Sequence, residues 1–317
     1  MRANVGIKLA LAIPTYNRAV ELVNAIESVL PLSDAVDLHV FDNASTDGTR
    51  ALTSKFDSSA IHFHWSAINL GFVGNMNRIL TLSSDYDWVG ILHSDDRYVL
   101  PNPDELIQNL LSLPPSGIAF GSHQSVNQSR SIISGPVITK DYWPAGAAAL
   151  GRAQSGIACS TMWYSSEAIH QTGCFDRRWH FSADEEYSAR VAVNFGIASI
   201  PLLLAERTKH PGNLAIDLYR DPSFPEEFTE MRLHMNSLLP KEEQLRPVIV
   251  RRKAAAALLN ECSALCAYNE MTIVRRFYRF AMRVDPRLVL DLKNIFRFFF
   301  GSFPSLRSRF FGKYRGE

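Results

Sequence analysis

Trp88-Val89-Gly90-Ile91-Leu92-His93-Ser94-Asp95-Asp96 is an apolar run that turns polar within one residue and ends on two adjacent carboxylates. Short apolar runs that stop at polar residues read as buried strands ending at the rim of a sheet. Two carboxylates this close resist double ionisation unless a cation or hydrogen-bond donors offset their charge. Mg²⁺ or Mn²⁺ with diphosphate oxygens is the usual resolution, because hard cations take carboxylate and phosphate together. The run therefore suggests a metal–diphosphate site at a strand's carboxyl end. A simple turn role for Asp95 and Asp96 is the alternative.

The same grammar repeats upstream. Leu9 to Ile13 is apolar and ends in Pro14-Thr15-Tyr16-Asn17-Arg18, with Asn17 placed to cap a helix carrying Leu22, Val23, Ile26, Val29 and Leu30. Val36 to Phe41 ends in Asp42-Asn43, and Ser45-Thr46-Asp47-Gly48 leads into a helix near Thr49 to Phe56. Ile61 to Trp65 reads as a strand, Asn69-Leu70-Gly71-Phe72 as a loop, and Gly74 to Leu82 and Asp104 to Leu113 as helices. Strands alternating with helices imply a parallel sheet with right-handed crossovers, and such sheets bind ligands beyond the strands' carboxyl ends. The three polar clusters should therefore meet on one rim.

Downstream, Ile132 to Thr139 and Ser160 to Tyr164 look like strands. Asp184 to Phe195 looks like a helix stopped by Gly196, and Ile197 to Leu204 like a strand. From Pro225 the pattern is helical.

The four motifs in order, Ile13-Pro14-Thr15-Tyr16-Asn17-Arg18, Phe41-Asp42-Asn43-Ala44-Ser45-Thr46-Asp47-Gly48-Thr49, Asn69-Leu70-Gly71-Phe72 and Ser94-Asp95-Asp96, resemble the family 2 glycosyltransferases. The likeness runs from about Leu9 to Gly212. It implies an α/β fold of GT-A type, a Rossmann-like mixed sheet flanked by helices, spanning residues 1–222. Residues 223–317 would form a helical, basic C-terminal extension. It also implies transfer of a sugar from a nucleotide-diphosphate donor to a glycan or polyprenol-linked acceptor.

By the same resemblance, Pro14, Thr15, Tyr16, Arg18, Asp42, Asn69 and Asp95 would bind the donor, with Asp42 accepting from the base. Asp95, Asp96 and His210 would hold Mg²⁺ or Mn²⁺. His93 stands where the family often has an acid. In Ser182-Ala183-Asp184-Glu185-Glu186, which resembles the family's catalytic-base segment, Ala183 replaces the first acid and Asp184 keeps the place of the base. An inverting transfer needs one such base, whereas glycosidases need two carboxylates flanking the bond. The acidic cluster could instead complement a helix dipole. A binding or scaffold protein without turnover is a second reading. A sugar nucleotidyltransferase is a third, but the expected Gly-rich basic loop is missing after the first strand.

Composition adds a charge asymmetry. The 317 residues carry a net charge of only +1, yet Ile273 to Glu317 holds eleven Lys/Arg against three Asp/Glu, a local +8 over a body of −7. Arg275-Arg276-Phe277-Tyr278-Arg279-Phe280 and Asn294 to Phe311 mix cations with aromatics. Basic amphipathic segments of this kind lie on anionic membranes. A helix packed on the catalytic domain with a solvated basic face is the alternative. No nucleic-acid-binding motif is present. No signal peptide and no run of about 18 apolar residues is evident. Cys159, Cys174, Cys262 and Cys266 lack metal spacing. The expected location is cytoplasmic, peripherally on the inner face of the cell membrane.

Overall fold

The computed structural model describes residues 6–56, 61–100, 102–127, 129–180, 182–210 and 214–303. In chain order the elements begin β1 (Leu9–Thr15), α1 (Ala19–Val29), β2 (Val36–Asp42), α2 (Thr49–Thr53), β3 (Ile61–Trp65), α3 (Gly71–Ile79) and β4 (Trp88–Ile91). Then come β5 (Arg97–Tyr98), α4 (Pro103–Leu111), β6 (Ile118–Val126), β7 (Ile132–Ser134), β8 (Tyr142–Trp143) and α5 (Ala147–Ala153). β9 (Met162–Ser165), α6 (Ser166–Thr172), α7 (Ala183–Phe195) and β10 (Ile197–Thr208) follow. The remaining helices are α8 (Leu214–Arg220), α9 (Phe224–Ser237), α10 (Pro247–Ala267), α11 (Met271–Val284), α12 (Pro286–Val289) and α13 (Leu292–Ser302).

These elements form two compact units, one within residues 1–125 and 134–208, the other within 126–133 and 209–317. In the first, the sheet order is β3-β2-β1-β4-β9-β6-β10-β5. β1, β2, β3 and β4 run parallel, as the strand–helix alternation predicts. β9 is antiparallel to both β4 and β6, so the sheet is mixed. Leu9, Leu11 and Ile13 of β1 are fully buried, and so are Ala10 and Ala12 between them. Burial on both faces is what a central parallel strand between helical layers requires.

Gly90 has a packing reason. A Cβ there would meet Trp163 at 2.7 Å and Leu11 at 2.8 Å, so only glycine lets the buried Trp163 cross β4. The Trp163 indole N–H then donates to the Tyr98 hydroxyl at 3.1 Å.

Several sequence expectations change. Asn17 does not cap α1. It sits in the left-handed region at φ 51°, and the Asp47 carboxylate accepts from the Ala19 N–H at 3.0 Å instead. Helix α3 starts at Gly71 rather than Gly74, which draws the Asn69–Phe72 loop into its first turn. Ser160 lies in a 3-10 turn before β9, and regular strand after Ile132 ends at Ser134. β6 was not foreseen because its second half, Ser122 to Ser125, is polar yet largely buried. The Ser122 hydroxyl donates to the Val137 carbonyl, which makes that burial tolerable.

The second unit is helical, as expected from Pro225 onward. Phe224 and Phe228 of α9, Leu258, Leu259, Cys262 and Cys266 of α10, and Phe277 and Phe280 of α11 are buried. Cys262 and Cys266 are free thiols. Among the described residues, no helix is long and apolar enough to cross a membrane.

Candidate active site

The rim at the carboxyl ends of β1, β2 and β4 gathers the three polar clusters. β1 and β2 pair so that Thr15 lies beside Asp42. Asp42 is buried, and its Oδ2 accepts from the Ser45 N–H at 3.0 Å. Its Oδ1 and the Thr15 Oγ1 are buried without a hydrogen-bond partner among the described residues. Orphaned buried oxygens are rare, because each forfeits its hydration. Two on neighbouring strands at one register level mark a surface built to meet a polar ligand. Pro14 precedes Thr15 at the end of β1, and Tyr16, just after the strand, is half-exposed.

The surrounding loops are held by side chains. Arg78 donates to the Asp42 carbonyl at 2.8 Å, the His64 carbonyl at 2.8 Å and Asn75 Oδ1 at 2.9 Å. Asn43 bonds Asn69 Oδ1 at 2.8 Å and accepts from the Leu70 N–H at 2.8 Å, while Asn69 Oδ1 also accepts from the Gly71 N–H. Asn69 therefore shapes the loop that leads into α3. Asp47 ties the second loop to α1. Burial raises its pKa, but the Thr49 hydroxyl and the backbone N–H groups of Ala19 and Thr49 outweigh this and hold it below the usual value.

The acidic run lies on the third strand end. One ligand atom from each of His93, Asp95 and Asp96 falls within 4.8 Å of the others. Asp96 is 5% exposed, and both its oxygens are engaged. Ser160 donates to Oδ2 at 2.5 Å and the Thr208 N–H to Oδ1 at 3.0 Å. Burial raises its pKa, the Asp95 charge adds to this, and His93, Arg207 and the Ser160 bond oppose it. Arg18 pairs with Asp95 at 3.5 Å. The His93 Nε2 is buried with no partner among the described residues. One imidazole nitrogen and two carboxylates in reach of one point fit a divalent cation, and the nitrogen suits Mn²⁺ better than Mg²⁺.

Asp184 opens α7 behind Ser182, which holds a left-handed conformation at φ 53°. It is half-buried, and its Oδ1 accepts from the Glu185 N–H at 3.0 Å. The buried thiol of Cys159 connects it electrostatically to the acidic run. Burial pushes that thiol up, the charges of Asp184 and Asp96 push it the same way, and Arg207 opposes them. The other acids of the segment differ in role. Glu186 is fully buried and pairs with Arg190 at 2.8 Å, and Arg190 also donates to the Thr172 and Cys174 carbonyls. That pair is scaffold for α7.

Of the predicted site residues, Pro14, Thr15, Tyr16, Arg18, Asp42, Asn69, Asp95, Asp96 and Asp184 all fall in the first unit. His210 is buried in the second unit and is not among the three metal-competent residues; Pro211, Gly212 and Asn213 lie outside the described residues. Sequence reasoning missed His93 as a donor, although its place at the head of the run was a signal. It left Arg78 open between phosphate and solvent, where the structure turns its guanidinium onto the Asp42 and His64 carbonyls, and it missed Ser160 and Arg207, whose roles depend on residues far away in the chain.

A mixed α/β sheet with a nucleotide-type rim and a cation-competent acidic run defines a protein of GT-A fold. The sequence model described as glycosyl transferase family 2 matches residues 10–173, and the chain belongs to that family. No curated protein sequence matches the chain. Among solved structures, S. aureus TarS 1-349 in complex with UDP-GlcNAc is 16% identical, with a TM-score of 0.62 over 98% of this chain and 90% of that one. The mannosyltransferase PcManGT from Pyrobaculum calidifontis, in complex with GDP-Man and Mn²⁺, is 15% identical, with a TM-score of 0.52 over 91% of this chain and 87% of that one.

Proposed function

We propose that the protein transfers a hexosyl or deoxyhexosyl group from a nucleoside-diphosphate sugar to a hydroxyl of a glycan or polyprenol-linked glycan, with inversion. The observation that carries this reading is the shared rim. The orphaned oxygen of Thr15 stands at the end of β1, between β2, which ends in the orphaned oxygen of Asp42, and β4, which leads into His93, Asp95 and Asp96. The donors bound by TarS and PcManGT, and the Mn²⁺ of the latter, support the same donor class.

In this reading Thr15 and Asp42 take the base, Tyr16 lies against the nucleoside, and Arg18 and Asp95 reach towards ribose and phosphate. His93, Asp95 and Asp96 would hold a divalent cation, which when bound would supply positive charge against the departing diphosphate. Arg207 adds positive charge on the same side. Asp184 accepts the acceptor's proton as its oxygen attacks the anomeric carbon opposite the leaving group. Residues 1–222 are the transferase part and 223–317 a helical extension. The working place is the cytoplasmic face of a membrane, in bacterial surface polysaccharide assembly.

A melting series with nucleoside diphosphates and Mn²⁺ tests the donor side. A bound nucleotide at a hundred times its Kd should add about 2.7 kcal/mol of stability. If no nucleoside diphosphate raises the melting temperature, the donor assignment fails.

A further inference from the structure

Helix α13 is built inside out. Its apolar residues Leu292, Ile295, Phe296 and Phe299 recur at i, i+3, i+4 and i+7, and Phe303 continues the line. That spacing makes one stripe on a helix. In a helix docked on a water-soluble core the stripe would face inward. Here it faces out, with Leu292 83% and Phe299 52% exposed.

The opposite side of the helix carries Arg297, which is only 9% exposed. Its guanidinium is satisfied inside the unit, donating to the Leu259 carbonyl at 3.2 Å, Asn260 Oδ1 at 3.3 Å and Asn294 Oδ1 at 3.0 Å. The Tyr278 hydroxyl donates to the Asn294 carbonyl and its ring packs on Phe298 at 4.8 Å, which fixes the rotation of α13. The buried Arg297 thus holds the stripe outward.

Helix α11 of the same unit is the internal comparison. It has the same mixture of arginines and aromatics, yet Phe277, Tyr278 and Phe280 are buried while Arg275 and Arg279 face water. Helix α11 therefore buries its apolar face within the second unit and solvates its arginines, and α13 does the reverse. Exposed apolar stripes of this size are rare on soluble proteins and mark an interaction surface.

We propose that the α13 stripe inserts into the acyl–headgroup boundary of an anionic bilayer. This names the surface behind the membrane-side placement proposed above. Charge selects lipid over a second copy of the chain. Lys293 is exposed beside the stripe, and residues 304–317 add four Lys/Arg against one Glu. Two copies meeting through this face would bring like charges together, whereas an anionic surface attracts them.

The test is sedimentation of the full-length protein with vesicles of phosphatidylcholine alone or with phosphatidylglycerol, beside a variant combining Leu292→Ser, Phe296→Ser and Phe299→Ser. These side chains are exposed, so the melting temperature should hold. The expected result is binding to anionic vesicles, weaker in high salt and on neutral vesicles, and reduced at least tenfold in the variant. Undiminished binding by the folded variant overturns the proposal. So does a wild-type dimer that ignores vesicles and becomes monomeric in the variant. Stronger binding after removal of residues 304–317 overturns it too, because those residues would then cover the stripe.

Discussion

The Asp96 carboxylate accepts from the Thr208 backbone N–H at 3.0 Å across 112 residues of sequence, which fastens the acidic run to the last residue of β10. Its other oxygen accepts a hydrogen bond from the Ser160 hydroxyl at 2.5 Å, and that hydroxyl in turn accepts from the His93 N–H at 3.2 Å. The carboxylate is oriented from both sides before any cation arrives.

Ser160→Ala should therefore act on the metal site without touching the metal. Removing a partner from a buried carboxylate costs about 1–3 kcal/mol of stability. Losing such orienting bonds typically costs roughly 10–100-fold in metal affinity. Calorimetric titration with Mn²⁺, beside urea unfolding, reads both; unchanged Mn²⁺ affinity contradicts the role given to Ser160.

As a ligand in the proposed cation site, His93 would set a metal preference. An imidazole nitrogen among the donors favours Mn²⁺ over Mg²⁺, and an all-oxygen set removes that bias. The wild type should bind Mn²⁺ at least about tenfold more tightly than Mg²⁺, and His93→Asp should narrow the ratio. A ratio that does not move with this substitution places His93 outside the coordination sphere.

Away from the site, β2 and β3 bring three histidines together, of which only His39 is buried. His39 stacks on His62 at 4.6 Å, bonds His64 at 3.0 Å and meets the Tyr86 hydroxyl at 2.9 Å. Burial first, then the charges of His62 and His64, lower its pKa from 6.5 to about 3, against the opposing Asp37. The unfolded chain then binds the proton more readily than the folded one. This stability is present in full above pH 6.5 and is lost as pH falls from 6.5 towards 3, at a slope approaching 1.36 kcal/mol per unit. Urea midpoints across that range should fall, and His39→Gln should flatten the dependence.

Gly90→Ala tests the core behind the rim. The new methyl would collide with Trp163 and Leu11, and overpacking of this kind costs about 1–3 kcal/mol. A urea-unfolding change within about 0.5 kcal/mol of zero contradicts the packing argument.

What the sequence made legible follows from locality. The parallel half of the sheet announced itself because each strand is a short apolar run ending at once in polar residues, so Thr15, Asp42 and Asp95-Asp96 could be placed on one rim. β6 was hidden because its buried apolar start, Ile118 to Phe120, runs into the polar stretch Ser122 to Ser125, where the Ser122 hydroxyl is satisfied by the Val137 carbonyl. The helix cap was misread because Asp47, which caps α1, comes from the next loop and not from the adjoining turn. Ser160 and Thr208 hold Asp96 through separations of 64 and 112 residues, which no local pattern reveals. The rotation of α13 was equally hidden, since composition alone does not say that Arg297 turns inward.

In the proposed transfer one carboxylate at the start of α7, Asp184, takes the acceptor's proton. Asp184→Asn keeps the shape and the bond to the Glu185 N–H but removes the base. Sugar transfer and nucleoside-diphosphate binding should be measured on the same preparation. The account predicts that kcat falls by roughly 10²–10⁴ while Mn²⁺-dependent nucleotide binding stays at the wild-type level. Transfer near the wild-type rate with donor binding intact would contradict it.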